Sequence, residues 1–300
     1  VLEGLGDYEG AVEHRQKLAP LLEGRARFEQ HVAIGEICRD RLKDPYQAVD
    51  AYLAAARIDP TDVAVTEALL GLYRETRQGQ KAADVLGQLL ERPEVQADAA
   101  RAGKLHFTLG ELYRDEIKEP DRALAEFEKA LDRSPRLVQA FSAVEALLTA
   151  QKRWNDLEQA YVRMIHRLPK GPEAQAARLA LWKTLGELYR RVLQNPEGAR
   201  MAYEVVLKAE PEDAGALEVF ADLSAQKPGE EGKAVEAYRQ LLKAGGSAQK
   251  AISALVGLHA ARQEFDQAYG AAQALAHLLG AASAEELQVV SRLRRFAREQ

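Results

Sequence analysis

The hydrophobic positions of this chain recur with a helical period over short stretches. Residues 121–133 show the pattern plainly, because their apolar side chains fall at i, i+1, i+4, i+7 and i+8, on one face of an amphipathic helix. At 1.5 Å per residue such a helix spans only about 20 Å. It cannot bury its apolar face alone. The pattern therefore predicts an all-α protein in which short helices stack on their neighbours.

The same pattern repeats along the chain. Three stretches, 31–60, 106–135 and 182–211, align with one another, and their first residues lie 75 and 76 residues apart. Repetition at a fixed period indicates a solenoid, in which each unit packs on the units next to it. The coincident glycines and the coincident prolines that open each second helix are Gly35, Gly110 and Gly186, and Pro45, Pro120 and Pro196.

Weaker units lie between the strong ones and complete the predicted organisation. We expect residues 1–300 to form a single solenoid whose true period is a double repeat. Its expected parts are a truncated half repeat over 1–22, about seven repeats in alternating long and short pairs over 24–279, and a C-terminal capping helix over 281–300. The capping helix opens with a Ser-x-x-Glu box at Ser283.

Two features of this organisation carry further expectations. The first helices over about 97–118 and 173–194 are extended, and we expect them to overhang one edge of the solenoid as a ridge. Residues 5–11 match only the second half of a repeat, so we expect the chain to be a piece of a longer protein.

The third stretch carries a recognisable consensus. An aromatic residue, a Leu-Gly pair and a tyrosine lie on its first helix, and an alanine, a tyrosine and a closing proline follow. This pattern resembles the tetratricopeptide repeat, although each strong unit has one extra residue between its glycine and its alanine. The resemblance implies a right-handed α-solenoid, a superhelix that binds proteins. The matching residues are Trp182, Leu185, Gly186, Tyr189, Ala199, Tyr203 and Pro211.

In that family the first helix of each repeat lines a concave groove. Carried over to this chain, the groove holds a Glu-x-x-Arg pair at 36/39, 111/114 and 187/190, and each pair can bridge along its own helix. Two interpretations stay open: a self-neutralised, solvated face, or a mixed-charge ladder that clamps an extended segment or a partner helix. The candidate residues are Glu36, Arg39, Glu111, Arg114, Lys183, Glu187, Arg190 and Arg191.

Charge and composition narrow the class of partner. Repeats of the family that clamp a C-terminal carboxylate use lysine and asparagine in the groove, but Glu36 and Glu111 stand where such an asparagine is expected. A protein or peptide of mixed charge therefore fits better than an acidic tail. The net charge of -5 argues against a nucleic-acid partner. No apolar run approaches about 18 residues, so we expect no direct membrane insertion.

No constellation of catalytic or metal-binding residues stands out. The six histidines lack ligand spacing, and there is a single cysteine. His31 and His106 fall on a core position of the repeat, and Cys38 replaces a core tyrosine. We therefore expect no catalytic residue, no cofactor and no metal.

These observations favour a non-catalytic scaffold for protein–protein interaction. Arg- and Ala-rich usage favours a bacterial source, and arrays of the resembled family occur in bacterial motility, polarity, secretion and envelope assemblies. The alternative is a substrate-docking arm of an enzyme whose catalytic domain lies outside residues 1–300. The cytoplasm is the favoured compartment, and the sequence does not give the oligomeric state.

Overall fold

The computed structural model describes residues 6–278, and that part of the chain is all-α, as the sequence predicts. The first and second helices of the repeats alternate along it, with the short helix Pro93–Ala97 inserted between the second helix of one repeat and the first helix of the next. Their bounds are α1 Tyr8–Leu18, α2 Gly24–Ile37, α3 Pro45–Ile58, α4 Val63–Glu75, α5 Gly79–Leu90, α6 Pro93–Ala97, α7 Ala99–Leu112, α8 Pro120–Arg133, α9 Val138–Ala150, α10 Trp154–Arg167, α11 Gln175–Arg191, α12 Pro196–Ala209, α13 Ala214–Ala225, α14 Glu231–Lys243, α15 Ala248–Ala261 and α16 Phe265–Leu278.

Packing contacts divide the chain into two compact units, Val1–Gln151 (unit 1) and Lys152–Gln300 (unit 2). In unit 1, α2 pairs with α3 and α7 with α8, while α3 packs on α4 and α8 on α9. In unit 2, α11 pairs with α12, α13 with α14 and α15 with α16, and each second helix packs on the next first helix. Each unit is therefore a stack of helix pairs. One continuous solenoid over 1–300 stays a prediction.

Prolines begin the second helices of the three strong repeats. Pro45, Pro120 and Pro196 are the first residues of α3, α8 and α12, where a missing backbone N–H leaves no hydrogen bond unmade. Asp44 accepts two backbone N–H groups at 3.0 Å, and Asn195 accepts one at 2.9 Å. The predicted restart of the chain at each proline is confirmed, and side-chain caps support two of the three.

The extra residue of the strong repeats is absorbed in a wide turn. Helices α2 and α7 continue into π-helical segments, Cys38–Leu42 and Tyr113–Ile117, and the next residues, Lys43 and Lys118, have left-handed φ of 55° and 65°. The N–H of Asp44 bonds a carbonyl six residues back, against five in the shorter repeat that follows. The added residue thus lengthens the connection between the two helices and leaves their packing intact.

That packing rests on close contact between a glycine and an aromatic ring. The coincident glycines have no side chain because the ring of the second helix occupies the space where a Cβ would lie. Measured from an ideal Cβ, the nearest ring atoms are 2.8 Å away for Gly35 and Tyr52, 2.6 Å for Gly110 and Phe127, and 2.8 Å for Gly186 and Tyr203. Both units therefore share one scaffold.

The first helices alternate in length. With its π-helical segment α2 runs to Leu42 and α7 to Ile117, whereas α4 and α9 have 13 residues each. The extended helix expected over 97–118 begins instead at Ala99, because Asp98 interrupts it and caps α7 by accepting the N–H of Arg101 at 3.0 Å. The helix expected over 173–194 is α11, Gln175–Arg191.

Polar residues at core positions are accommodated individually. His106 is buried, and its Nδ1 lies 2.7 Å from the carboxylate of Glu126, which also accepts a 2.7 Å bond from Lys129. Burial alone would raise the pKa of Glu126, but these bonds outweigh it and hold the pKa below its usual range. Cys38 is fully buried, which raises the pKa of its thiol. The core positions of His106 and Cys38 are confirmed, whereas His31 is half-buried.

The capping helix over 281–300 lies outside the described residues. Across residues 6–278 no helix combines the length and apolarity needed to cross a membrane. Over the same range, no three His, Cys, Asp or Glu side chains are grouped where they could hold a metal ion.

Candidate functional site

Three cavities lie between first helices of successive repeats. Cavity A, of about 450 Å³, lies between α2 and α4, and cavity B, of about 500 Å³, lies between α4 and α7, both in unit 1. Cavity C, of about 470 Å³, is lined by α11, α13 and α15 of unit 2. Concavities of this size suit side chains or small segments of a ligand. They lie along the first helices, where the family resemblance implies a groove.

Cavity A combines an apolar surface with charged side chains. Tyr52 reaches it from α3, beneath Arg39, whose guanidinium carbon is 5.9 Å from the tyrosine ring centroid. The guanidinium carbon of Arg25 lies 4.4 Å from the centroid of the Phe28 ring, within cation–π range. The other lining residues are the apolar Val32, Ala33, Ala64, Val65 and Ala68 and the acidic Glu29, Glu36 and Asp62.

Cavity B is also partly apolar. Arg101 donates to the backbone carbonyl of Thr61 at 2.9 Å, which ties the start of α7 to the turn before α4. Neither Glu67 nor Lys104 forms an ion pair within the described part of the chain. The lining residues are Val63, Thr66, Glu67, Leu70, Leu89, Asp98, Ala100, Arg101, Lys104, Leu105 and Thr108.

Cavity C is crossed by hydrogen bonds between charged residues. Lys250 of α15 donates to Glu218 and to Asp222 of α13, both at 2.6 Å. Burial alone would lower the pKa of Lys250, but these bonds outweigh it and raise the pKa. The hydroxyl of Tyr238 donates to Asp222 at 2.5 Å. The lining acids of α13 are thus already bonded to groups of the chain itself.

Glu187, beside cavity C on α11, is bonded in the same way. It accepts from Arg190 at 2.8 and 3.1 Å, from Arg191, and from the hydroxyl of Tyr203 at 2.7 Å. The bond from Arg190 is the main reason that the pKa of Glu187 is lowered, whereas burial and the bond to Glu187 raise the pKa of Tyr203. The predicted bridge at 187/190 is confirmed.

In unit 1 the equivalent arginines pair with an adjacent aspartate instead of the glutamate three residues earlier. Arg39 forms a two-point pair with Asp40 at 2.8 and 2.9 Å, and Arg114 does the same with Asp115 at 2.7 and 2.8 Å. The predicted bridge at 111/114 is stretched to 3.9 Å, and the predicted bridge at 36/39 is wrong, since no such ion pair forms among the described residues. An adjacent aspartate presents both oxygens to the guanidinium fork and therefore takes the arginine.

The predicted groove residues are thus distributed over both units. Glu36 and Arg39 line cavity A, and Arg190 lines cavity C. Lys183 bonds Asp213 at the start of α13 and also Glu210 at 3.4 Å, and the bond to Asp213 is the main reason that its pKa is raised. Lys183 therefore ties neighbouring repeats together. Glu111, Arg114, Lys183, Glu187 and Arg191 do not line cavities A, B or C.

Sequence reasoning missed the tyrosine hydroxyls and Lys250. A signal for the tyrosines was present, because an acid precedes each of them by 16 residues at 36/52, 187/203 and 222/238. Because the aromatic positions were interpreted only as core residues, the hydrogen bonds of their hydroxyl groups were not predicted. Lys250 could not be paired with Asp222 without knowing how α15 packs beside α13.

No protein-family model matches the chain, and no curated protein sequence matches it. Among solved structures it is similar to the C-terminal part of a TPR repeat-containing protein from Cytophaga hutchinsonii (12% identity, 88% of this chain and 99% of that one, TM-score 0.42). It is also similar to YrrB, a TPR protein with an unusual peptide-binding site (14% identity, 71% and 100%, TM-score 0.40). A third is the TPR2AB domain of yeast Sti1 in complex with pHSP90 (17% identity, 90% and 100%, TM-score 0.38).

The fold follows from the chain's own packing. The glycines, aromatics and prolines of the tetratricopeptide pattern occupy the helix starts and the helix–helix contacts where that pattern requires them. Within residues 6–278, the helix pairs of each unit pack in the manner that the tetratricopeptide pattern predicts.

Proposed function

We propose that this chain is a non-catalytic scaffold that binds segments of partner proteins through its first helices. The observation that carries the proposal is the series of cavities A, B and C between those helices. Each combines apolar side chains with charged ones, which is the composition expected of a surface that recognises peptides. Partners of mixed charge fit this lining better than nucleic acid, whose phosphates need a continuous basic surface. Assembly of a bacterial multiprotein machine is the cellular role that we propose.

Binding by side-chain insertion suits this architecture. Helix packing fixes the walls of each cavity, so binding a partner costs little conformational entropy on the side of this chain. The charged lining residues set the orientation of the partner and exclude wrong partners, while buried apolar contact supplies most of the affinity.

Filling the cavities tests the proposal. Ala64 and Ala100 are exposed and line cavities A and B, so tryptophan at both positions adds bulk there without disturbing the core. We expect the Ala64→Trp/Ala100→Trp variant to lose partners captured by the unmodified chain from a cell extract. The matched control, Ala125→Trp/Ala209→Trp, places the same bulk at exposed positions of α8 and α12.

Quantitative mass spectrometry of the captured proteins provides the measurement. Loss in the cavity variant with retention in the control supports binding through first helices. Equal capture by both variants would show that partners do not bind through cavities A and B.

A further inference from the structure

Equivalent acids of the two units differ in what they bind. Glu36 follows Gly35 and Glu187 follows Gly186, while Asp222, 35 residues after Glu187, follows the buried Ala221. Each acid has a tyrosine 16 residues later on the second helix of its pair. The repeats therefore place the same acid–tyrosine combination at the same point three times.

In unit 2 each of these acids also holds a cation from the chain itself. Glu187 binds Arg190 and Arg191 in addition to its tyrosine, and Asp222 binds Lys250. The tyrosine hydroxyl donates to the carboxylate in both places. A complete site therefore consists of a carboxylate, a tyrosine hydroxyl and a positively charged side chain.

At Glu36 no cation from residues 6–278 forms an ion pair with the carboxylate. Asp40 replaces the equivalent of Arg191 and holds Arg39 away. The position equivalent to Lys250, five residues before the buried leucine of the next first helix, is Ala64. The Glu36 carboxylate and the Tyr52 hydroxyl make no hydrogen bond or ion pair with any residue in 6–278, although Tyr52 is only 2% exposed.

The arginines that line cavity A with Glu36 form their ion pairs with other acids. Arg39 is matched by Asp40, and Arg25 pairs with Glu29 at 3.3 Å and Asp59 at 3.6 Å. Apart from Asp62, which accepts the backbone N–H of Val65 at the start of α4, the rest of the cavity wall is apolar, including Val32 at the position where unit 2 has Lys183. Lysine and arginine carry an aliphatic stem and a charged end, and they can lay the stem on such a wall.

We propose that cavity A binds a lysine or arginine side chain of a partner segment, next to an aliphatic residue of the same segment. Glu36 takes the charged end, the Tyr52 hydroxyl accepts a second N–H, and the apolar wall of α2 and α4 covers the stem and the aliphatic neighbour. The proposal rests on the proposed scaffold function and specifies the chemistry of its partner at one site.

A random-peptide library displayed on phage supplies the probe. The unmodified chain and the Glu36→Gln variant are used in parallel selections, with Glu75→Gln as the matched control at an exposed acid outside cavity A. We expect the unmodified chain and the control to enrich peptides with Lys or Arg beside an aliphatic residue. Because Glu36 is exposed, its replacement leaves folding intact, and the Glu36→Gln variant should lose that enrichment.

Affinity measurements on the best peptide sharpen the result. Replacing its basic residue with neutral citrulline keeps the shape and removes the charge, and we expect a loss of about ten- to a hundredfold, as for other hydrogen bonds between charged groups. Glu36→Gln should cause a similar loss. Ala64→Lys should cause one as well, because it supplies an internal cation in the way Lys250 does, whereas Ala125→Lys on the exposed face of α8 should cause none.

The outcomes separate the two proposals. Enriched peptides that bind equally well with citrulline, or equally well to Glu36→Gln, would overturn the cation site while leaving the scaffold function standing. Failure to enrich any peptide would overturn the scaffold function itself, and the cation site with it.

Discussion

Unit 1 and unit 2 share a scaffold and differ in how their first helices use charge. In both, a glycine of the first helix accepts the aromatic ring of the second. In unit 2 the acid after that glycine is bonded to basic groups of the chain, whereas in unit 1 an aspartate four residues later captures the arginine. The residue four positions after the acid, Asp40 in unit 1 and Arg191 in unit 2, is one difference between a face whose acids are bonded to basic groups and one that leaves a carboxylate without an ion pair.

The difference concerns recognition more than stability. Ion pairs between solvent-exposed side chains contribute about 0–1 kcal/mol, and the pairs of α11 and α13 are at least one-third exposed on one partner or both. Unit 1 therefore loses little stability by lacking them at Glu36. Charges of this kind act chiefly on the choice and orientation of a partner.

The largest expected effect on stability comes from the contact between glycine and ring that both units share. Gly110→Ala and Gly186→Ala should both destabilise the protein, because the new methyl group would lie 2.6 or 2.8 Å from a buried ring. Overpacking costs about 1–3 kcal/mol. Alanine has a higher helix propensity than glycine, which offsets about 1 kcal/mol of that cost. We therefore expect the free energy of unfolding to fall by up to about 2 kcal/mol. Urea unfolding followed by circular dichroism measures it.

Gly71→Ala is the control for those two variants. No heavy atom lies within 4 Å of an ideal Cβ at this position in α4, so the propensity gain should appear alone, at up to about 1 kcal/mol. If Gly110→Ala or Gly186→Ala behaved like Gly71→Ala, the two units would not share the ring contact that we describe.

Removing a tyrosine hydroxyl should have a smaller effect on stability, and the effect should differ between the units. Tyr203→Phe removes a hydroxyl that donates to Glu187 at 2.7 Å, and the lost hydrogen bond should cost about 0.5–1.5 kcal/mol. Tyr52→Phe keeps the same ring over Gly35 but removes a hydroxyl that bonds no described residue. We expect its unfolding midpoint in urea to stay where it is. Equal losses in the two variants would mean that the Tyr52 hydroxyl is bonded after all.

Much of the fold was predictable because it depends on residue types that have few alternatives. A glycine under a ring and a proline at a helix start are required by contacts that no other residue makes as well. Their 75-residue recurrence therefore located the strong helix pairs. The wide turn was not foreseen, since one extra residue can lengthen a loop or a helix, and only the backbone bonds show that it does so through π-helical turns.

The candidate site was predicted less completely. Family resemblance identified the first helices and the acid after each glycine, but spacing alone favoured the same bridge at 36/39 as at 187/190. The competing aspartate at position 40 was visible in the sequence, yet its advantage depends on side-chain geometry. Lys250 lies outside any local pattern because its partners are 28 and 32 residues away in sequence.

A substitution at the position that distinguishes the two units tests the comparison most directly. Asp40→Arg gives unit 1 the charge that unit 2 carries at Arg191, so Arg39 should transfer to Glu36 as Arg190 does to Glu187. The change in stability should stay below about 1 kcal/mol, since the groups are exposed. Nitrogen-detected NMR of the Arg39 side chain should report the new partner, and binding of a basic peptide to cavity A should weaken.

Asp115→Arg is the matched variant: it should release Arg114 to Glu111 in the same way but leave peptide binding unchanged, because neither residue lines cavity A. If Arg39 stayed in place after Asp40→Arg, the aspartate would not be what holds it, and the difference between the units would need another cause.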